Sequence, residues 1–257
     1  MKTIDREKLS VLIITFNEEL HIKELLADID FADEIIVVDS YSTDQTTSII
    51  KSFKNVKLFQ NQFVDYTSQR NFALDLVCNS WVLFIDADER LTSNLKHEII
   101  STINSPNPAS AYLMYRTFMF GKSKLRFSGW QTDKIFRLFN QTKCRYTKDR
   151  LVHEKLIVNG TISTLKNKLI HYSYTNYEDY KSKMYKYGIL KANEKIKKGQ
   201  KSSFLLLIFH PVYTFLYQFL IRFGFLDGAR GIIICYLNAY SIFVRYKEIN
   251  RLTSSRI

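Results

Sequence analysis

The chain has few of the residues that mark several common classes of protein. It contains only three cysteines among 257 residues, and no two of them have CxxC spacing. Neither a disulfide framework nor a zinc knuckle is indicated, so a reducing, cytosolic compartment is expected. The segment Met1–Lys8 lacks the apolar core of a signal peptide, and the protein is therefore expected to stay on the cytoplasmic side of the membrane.

Glycine-rich phosphate-binding sequences are missing as well. There is no GxGxxG after the first predicted strand and no GxxxxGK[ST] anywhere in the chain. This argues against a dinucleotide-binding Rossmann enzyme and against a P-loop NTPase. Any phosphates must then be bound in another way, and a divalent cation held by carboxylate oxygens would serve.

Charge is unevenly distributed along the chain. The net charge of +12 divides into −7 for residues 1–113, +15 for residues 114–201 and +4 for residues 202–257. The acidic part could hold a metal ion and the basic part could face phosphates or anionic lipid, although a solvated lysine-rich surface is the simpler alternative. Nucleic-acid binding is not expected, because the basic segment lacks a recognisable DNA- or RNA-binding motif.

Strand and helix patterns alternate over the first 105 residues. Apolar runs predict strands at residues 9–16, 34–39, 56–59 and 81–85, with helices between them. Ser42–Asp44 and Thr67–Ser68 are predicted to cap two of those helices. This alternation predicts an α/β fold with a mostly parallel sheet covered on both faces. Beyond Pro106, strands and loops are expected to about residue 172, followed by a polar helix over residues 177–198.

Three polar clusters come directly after predicted strands. They are Thr15–Glu18, Asp39–Ser40 and Asp86–Asp88. Ligands of open α/β sheets bind beyond the carboxyl ends of the strands, so these clusters predict a shared site. Asp86 and Asp88 can point the same way if the backbone is extended, which makes this DxD a candidate metal site. A plain loop with a helix cap is the alternative for that motif.

Three stretches carry a family resemblance: Val11–Glu19 (VLIITFNEE), Ile36–Asp44 (IVVDSYSTD) and Phe84–Glu89 (FIDADE). They resemble the nucleotide-binding half of family 2 glycosyltransferases, which have the GT-A fold. Three shorter pieces extend the likeness along the chain, namely Arg137–Phe139 (RLF), Val152–Glu154 (VHE) and Gly224–Gly228 (GFLDG). With them, nearly the whole chain is similar to bacterial lipopolysaccharide inner-core glucosyltransferases.

The resemblance implies an organisation for the chain. Residues 1–175 would form a GT-A catalytic domain with a mostly parallel central sheet, divided into a nucleotide-binding half (1–105) and an acceptor half (106–175). Residues 176–257 would form a helical, membrane-proximal extension. Tyr41 departs from the family pattern, which usually has Gly there, so the loop after Asp39 is expected to be tighter.

The resemblance also implies a donor site. Its predicted members are Thr15, Asn17, Glu18, Asp39, Arg70 and Asp86. Asp39 would read the edge of the base, and Arg70 would lie near the base or the diphosphate. Asp88, together with Asp86, would hold Mg²⁺ or Mn²⁺, which would neutralise the departing nucleoside diphosphate.

Glu154 occupies the place of the family's catalytic base, which takes the proton of the acceptor hydroxyl. A surface glutamate is the alternative. His153 could contact acceptor or phosphate, although neighbouring strand residues normally point to opposite faces. Trp130 could stack on a sugar or simply pack, and Arg137 could meet the diphosphate or support the loop that carries Glu154. His171 is expected to be a satisfied structural histidine.

The C-terminal region is strongly apolar. Phe204–Ile221 has 18 residues, near the lower limit for crossing a bilayer, and Gly231–Val244 has 14. An interfacial helical hairpin that turns at Leu226–Gly228, with flanking cations at the headgroups, is expected. A buried helical pair or an oligomer contact is the alternative.

The resemblance and these patterns predict an inverting glycosyltransferase that moves a hexose from a nucleotide-sugar to a glycolipid or lipopolysaccharide-core acceptor. The expected nucleotide-sugar is a UDP-sugar. It would work as a peripheral protein at the inner face of the cytoplasmic membrane. Two rivals stay open. One is a polyprenyl-phosphate sugar synthase, and the other is a non-catalytic nucleotide-sugar-binding protein at the membrane surface.

Overall fold

The computed structural model describes residues 6–147, 155–174, 176–200 and 203–254. The chain divides into two compact units, one formed by Met1–Arg116 with Lys134–His171 and the other by Thr117–Asp133 with Tyr172–Ile257. The second unit thus includes residues 117–133, which the sequence analysis placed in the catalytic domain. The predicted functional division at residue 175 stays a prediction.

Twelve strands occur in the part of the chain that the structure describes. They are β1 Leu9–Thr15, β2 Glu34–Asp39, β3 Val56–Gln60, β4 Trp81–Phe84, β5 Glu89–Arg90, β6 Ala111–Phe120, β7 Ser123–Lys124, β8 Lys134–Asn140, β9 Cys144–Tyr146, β10 Leu156–Val158, β11 Ile162–Thr164 and β12 Leu169–Tyr174. The first four lie close to the predicted strands. Strands β1, β2 and β4 are rich in apolar residues and buried on both faces, whereas the residues of the edge strand β3 are partly or fully exposed.

The α-helices are α1 Ile22–Asp28, α2 Thr46–Lys51, α3 Tyr66–Asp75, α4 Ser93–Ile103, α5 Tyr177–Lys197, α6 Phe204–Leu216 and α7 Gly228–Ser254. The polar helix predicted over residues 177–198 is confirmed as α5. The cap predicted for α3 was wrong, because Asp65 rather than Thr67–Ser68 caps it. The Asp65 carboxylate accepts a hydrogen bond from the backbone N–H of Ser68 at 2.7 Å.

The main sheet has the strand order β3-β2-β1-β4-β8-β6-β12-β5. Strands β3, β2, β1 and β4 run parallel, and β8 joins β4 in the antiparallel direction. The predicted mostly parallel α/β sheet is therefore confirmed for the first four strands, with antiparallel strands added beyond β4. Thr15 is in register with Asp39, and Asp39 with Gln60, so the carboxyl ends of β1, β2 and β3 are level.

Apolar side chains cover both faces of this sheet. Val11, Ile13 and Val37 point to the face that packs on α1 and α4, through residues such as Leu25 and Leu95. The opposite face carries Leu12, Ile36 and Phe84, with Ala73 and Leu74 of α3. Because side chains alternate along a strand, this two-sided burial leaves only the strand ends for polar groups.

The second unit is mainly helical. Helix α7 packs along both α5 and α6. Gly188 of α5 allows a close approach, since a Cβ there would lie 2.8 Å from the Ser241 carbonyl oxygen of α7. Between α6 and α7 the chain forms a π-helical turn at Tyr217–Ile221 and a 3₁₀ turn at Gly224–Asp227, so the predicted helical hairpin is present.

Candidate functional site

The first cluster lies at the level carboxyl ends of β1, β2 and β3. Asp39 is fully buried. Its carboxylate accepts hydrogen bonds from the Ser42 backbone N–H at 2.9 Å, the Ser42 hydroxyl at 2.5 Å and the Gln60 amide at 3.3 Å. These bonds fix the Asp39 carboxylate and the start of the following loop. Its predicted contact with a base edge stays a prediction.

Asn17 and Glu18 tie the loop after β1 to the loop after β2. The Asn17 side-chain oxygen accepts from the Thr43 backbone N–H at 2.8 Å, and its own backbone N–H donates to the Ser42 hydroxyl at 2.8 Å. The backbone N–H of Glu18 donates to the Thr46 hydroxyl at 2.8 Å. The structure therefore brings these two predicted donor residues beside Asp39.

Tyr41 lies in this loop with its backbone in the left-handed region, at a φ of 61°. That region carries a steric penalty for every residue with a Cβ and little or none for glycine. The backbone therefore keeps the conformation that a glycine would favour, although a tyrosine occupies the position. The tyrosine side chain is half exposed.

A chain of ion pairs lies beyond the end of β4. Arg137 of β8 is fully buried and donates to the carboxylate of Asp86 and, at 2.7 Å, to that of Glu89. Arg70 of α3 lies 3.5 Å from the other oxygen of Asp86, and its guanidinium stacks over Phe84. Two arginines thus hold Asp86, one from the third helix and one from an antiparallel strand.

The network of ion pairs also includes Asp88. Its Oδ2 lies 3.1 Å from Nε2 of His171, at the end of the first unit's part of β12. The other ring nitrogen of His171 lies 3.3 Å from a guanidinium N–H of Arg116. Because a guanidinium has no acceptor, Nδ1 must accept, which leaves the proton on Nε2 to be donated to Asp88. His171 therefore orients Asp88.

Burial and charge oppose each other in this network. Burial raises the pKa of Asp86, but the charges of Arg137 and then Arg70 outweigh it and hold that pKa below its ordinary value. Burial raises the pKa of Glu89 above its ordinary value, against the charge of Arg137. Burial lowers the pKa of Arg137, but the carboxylates of Asp86 and Glu89 outweigh burial and raise that pKa, so the guanidinium stays charged.

The network is close to formal neutrality, with the three arginines facing Asp86, Asp88 and Glu89. A divalent cation together with a diphosphate would leave that balance unchanged. Several polar atoms here are buried without a hydrogen-bond partner among the described residues, namely Thr15 Oγ1 and Arg137 Nε and Nη1. A buried unpaired donor is costly, and a bound ligand would satisfy it.

The predicted metal ligands Asp88 and Asp86 differ in their availability. Asp88 is partly exposed, and its Oδ1 has no partner among the described residues. Both oxygens of Asp86 face arginines. Within the described ranges, no group of three or more His, Cys, Asp or Glu side chains is placed to hold a metal ion. Asp88 therefore fits one ligand position, and the others would have to come from the nucleotide and water.

Other predicted site residues lie elsewhere. Glu154 and His153 fall outside the described residues, so their roles stay predictions. Trp130 belongs to the second unit, where its ring packs on Phe118 with the centroids 4.3 Å apart and faces Tyr174. Trp130 therefore packs against aromatic side chains, which is one of the two roles expected for it. Its contact with a sugar stays a prediction.

Sequence reasoning missed Glu89 and Arg116. It expected His171 to be a satisfied histidine, and both ring nitrogens of His171 do have partners. Arg116 and His171 are 55 positions apart, and His171 and Asp88 are 83 apart. No spacing rule connects such distant residues. Glu89 gave a signal, since it directly follows the DxD, but nothing in the sequence indicated that it would be fully buried against Arg137.

Comparison with known proteins shows the family of this chain. The family model described as "Glycosyl transferase family 2" matches residues 10–160, the span that contains the parallel strands and most of the ion network. This match confirms the GT-A fold that the resemblance implied.

Several relatives match nearly the whole chain. An uncharacterized glycosyltransferase of Rickettsia typhi is 31% identical over 96% of this chain and 88% of its own. The lipopolysaccharide core biosynthesis glycosyltransferase LpsC of Rhizobium meliloti is 26% identical over 95% of this chain and 94% of its own. Among solved structures, S. aureus TarS 1–349 superimposes with a TM-score of 0.48 and 17% identity, covering 97% of this chain and 92% of that one. From the family match and these sequence relatives, the chain belongs to glycosyl transferase family 2.

Proposed function

We propose that this glycosyltransferase moves a hexose from a UDP-sugar, with inversion, to a lipid-linked or lipopolysaccharide-core acceptor. The observation that carries the proposal is the ion network around Asp86, Asp88 and Arg137. It is close to neutral, it lies at the carboxyl ends of parallel strands, and it keeps buried donors without partners among the described residues. Such a site suits a diphosphate that binds together with a cation.

Each chain residue has a distinct task in this proposal. Asp39, fixed by Ser42 and Gln60, presents a rigid carboxylate to the base. Thr15 offers a buried hydroxyl with no partner in the described ranges. Arg137, already charged and held by carboxylates, would offer its remaining N–H groups to the diphosphate. Preorganised donors of this kind stabilise charge that develops on a leaving group without reorganising.

Asp88 would hold a divalent cation, Mg²⁺ or Mn²⁺, through its Oδ1, while His171 keeps the carboxylate oriented through Oδ2. Asp86 could join only by exchanging one of its arginine bonds. When bound, the cation would supply Lewis-acid stabilisation of the departing UDP. Because the residues that the structure describes offer one available carboxylate oxygen here, we expect the cation to bind together with the nucleotide and only weakly before it.

The acceptor side of the proposal rests on other supports. Glu154 is the proposed base, since it occupies the family's acidic position, and a carboxylate suits late removal of the acceptor proton. The likeness to LpsC supports a lipopolysaccharide-core acceptor. An acceptor of that kind belongs to a membrane, and we place the protein at the inner face of the cytoplasmic membrane.

The first experiment measures UDP release and donor binding over a panel of nucleotide-sugars, with Mn²⁺, Mg²⁺ or EDTA. The wild type should release UDP from one donor in a cation-dependent manner. Asp88→Asn should reduce that rate by roughly a thousandfold, because the cation loses its protein ligand. Asp75→Asn removes an exposed carboxylate of α3 and is the matched control. It should keep wild-type rates.

Unchanged activity in Asp88→Asn would contradict the assigned cation ligand. Failure of the wild type to bind any donor, with or without cation, would contradict the transferase proposal and favour a scaffold role.

Acceptor chemistry is tested separately with Glu154→Gln. Loss of transfer with donor binding retained supports a hydroxyl acceptor. Retained transfer would favour a polyprenyl-phosphate acceptor, which is already an anion and needs no base.

A further inference from the structure

Helix α6 exposes an unusually apolar surface. The segment Phe204–Ile221 has a mean hydropathy of 1.8, and none of it is buried. Phe204 is 71% exposed, Phe209 64% and Tyr213 63%. Large contiguous apolar patches are rare on soluble monomers and mark interaction sites. Something apolar is therefore expected to cover α6 in the working protein.

The neighbours of α6 decide how it can meet a bilayer. Helix α7 packs along α6 on one side and along α5 on the other. Helix α5 carries six lysines, and Gly188 brings its backbone close to Ser241 of α7. If α6 crossed the membrane, these packed helices would bring their charged side chains into the hydrocarbon, where each uncompensated charge is strongly disfavoured. The three-helix packing therefore favours α6 lying flat.

Two cations, Lys195 and Arg245, lie beside the apolar surface and are called the cationic cluster here. His210 of α6 bonds through Nδ1 to the Tyr246 hydroxyl at 3.0 Å, and the Lys195 ammonium lies 5.9 Å from the Tyr246 ring centre. Arg245, next to Tyr246, is half-buried, and its Nε has no hydrogen-bond partner among the described residues. Between residues 203 and 246 the sequence has three arginines and a single acidic residue, Asp227. The nearby Glu194 of α5 is paired with Lys191 and Lys198. Positive charge beside exposed apolar surface is complementary to an anionic leaflet.

We propose that α6 docks flat on an anionic lipid leaflet, with its apolar side chains among the acyl chains and with Arg245 and Lys195 at the headgroup phosphates. This docking surface deepens the membrane location within the proposed function. The aromatic side chains Tyr213 and Tyr217, at 63% and 38% exposed, suit the interfacial depth that a flat helix reaches. The docked surface would place the protein where a lipid-linked acceptor is found.

The test is flotation of the full-length protein with vesicles of phosphatidylcholine alone or mixed with phosphatidylglycerol. The wild type should float with the anionic vesicles and much less with the neutral ones. Leu205→Glu with Phe209→Glu should abolish flotation. Ile162→Glu, an equally drastic change at an exposed strand residue of the first unit, is the control and should float like the wild type. Equal flotation of wild type and double variant would overturn the proposal.

The cationic cluster has its own pair of variants. Arg245→Gln should weaken binding to anionic vesicles about fivefold, as expected for one cation near the surface. Arg251→Gln, an exposed arginine on the same helix that pairs with Glu248, should change it less. Equal effects of the two variants would contradict a role for Arg245 at the headgroups.

Orientation is measured by quenching with brominated lipids, using Leu205→Trp, Val212→Trp and Leu216→Trp, three exposed positions on one side of α6, each against the wild type. A flat helix gives the same shallow depth at all three positions, whereas a crossing helix is deepest in the middle and would overturn the proposal.

A dimer in lipid-free solution that the double variant dissociates, without flotation of the wild type, would assign the surface to a second copy. UDP release without vesicles should stay normal in every variant, so a failure of docking is distinct from a failure of donor chemistry.

Discussion

Two buried ions of the same sheet, Glu34 and Arg137, have very different surroundings. Glu34 begins β2, at the amino ends of the parallel strands. Its carboxylate accepts from the Ser10 hydroxyl at 2.6 Å, the Lys57 ammonium at 2.8 Å and the Cys78 backbone N–H at 3.0 Å. Both oxygens of that carboxylate have hydrogen-bond partners, so the group contributes to the scaffold.

Arg137 lies near the opposite ends of those strands. It holds Asp86 and Glu89 through one nitrogen, while Nε and Nη1 are buried without partners in the described part of the chain. Backbone strain follows the same division. In the first unit's described residues, the non-glycine positions with positive φ are Asn17 and Tyr41, both at this carboxyl edge. Unsatisfied donors and strained backbone thus collect where the ligand is proposed to bind.

The largest change of stability is expected from Arg137→Met, which breaks the carboxyl-edge network. It leaves Asp86 and Glu89 buried beside fewer positive charges, which costs on the order of 3–5 kcal/mol of the free energy of unfolding. Urea unfolding at neutral pH measures it. Arg145→Met, at a half-exposed arginine that pairs with Asp75, is the matched control and should cost less than about 1 kcal/mol. Similar values for both variants would refute a special status for Arg137.

A smaller effect is expected at the amino edge from Glu34→Gln. The neutral amide loses the charge-assisted bonds from Lys57 and Ser10, which lowers the free energy of unfolding by about 1–3 kcal/mol. Donor-dependent UDP release should stay at the wild-type rate in folded protein. A loss of UDP release without a loss of stability would show that the two edges are not separated as we describe.

The same residue gives a pH dependence. Burial raises the pKa of Glu34, but its bonds to Lys57 and Ser10 outweigh burial and lower the pKa from 4.5 to about 2. The lowered pKa means that the stability contribution is present above pH 4.5 and is lost as the pH falls towards 2. The difference in free energy of unfolding between the wild type and Glu34→Gln should therefore be constant near neutral pH and shrink as the pH falls below 4.5. A constant difference down to pH 3 would contradict the assignment.

The smallest effect concerns the strain at the carboxyl edge. Tyr41→Gly and Tyr41→Ala both remove the exposed ring, but only glycine relieves the left-handed backbone. The glycine variant should exceed the alanine variant by about 1 kcal/mol in free energy of unfolding. Thermal or urea unfolding of the two variants side by side measures the difference, and equal stabilities would show that this loop bears no strain.

The sequence predicted much of the first 105 residues, because local signals fix them. Apolar strand runs gave β1 to β4, and the polar residues that follow them gave Thr15, Asp39 and Asp88 at one edge. The ion network was beyond reach, since its bonds join residues far apart in the chain. Arg137 was expected at the diphosphate or below the Glu154 loop, and only the antiparallel placement of β8 beside β4 reveals its bond to Asp86.

Helical detail was harder to predict for a related reason. Asp65 and Thr67 are both good capping residues, and only the backbone conformation of Asp65 identifies it as the cap of α3. The apolar pattern of residues 203–246 predicted a hairpin, but it is equally typical of a buried pair. The exposure of α6, which separates these alternatives, depends on which helices pack beside it.

The three helices of the second unit share a polar connection. The Tyr180 hydroxyl of α5 donates to the Asn238 side chain of α7 at 2.5 Å, and the Asn238 amide donates to Gln218 in the turn after α6 at 2.8 Å. A slip of any helix by one turn would strand these groups in an apolar interior. The backbone amides of α5, α6 and α7 are therefore expected to open to solvent hydrogen exchange as one cooperative unit rather than helix by helix.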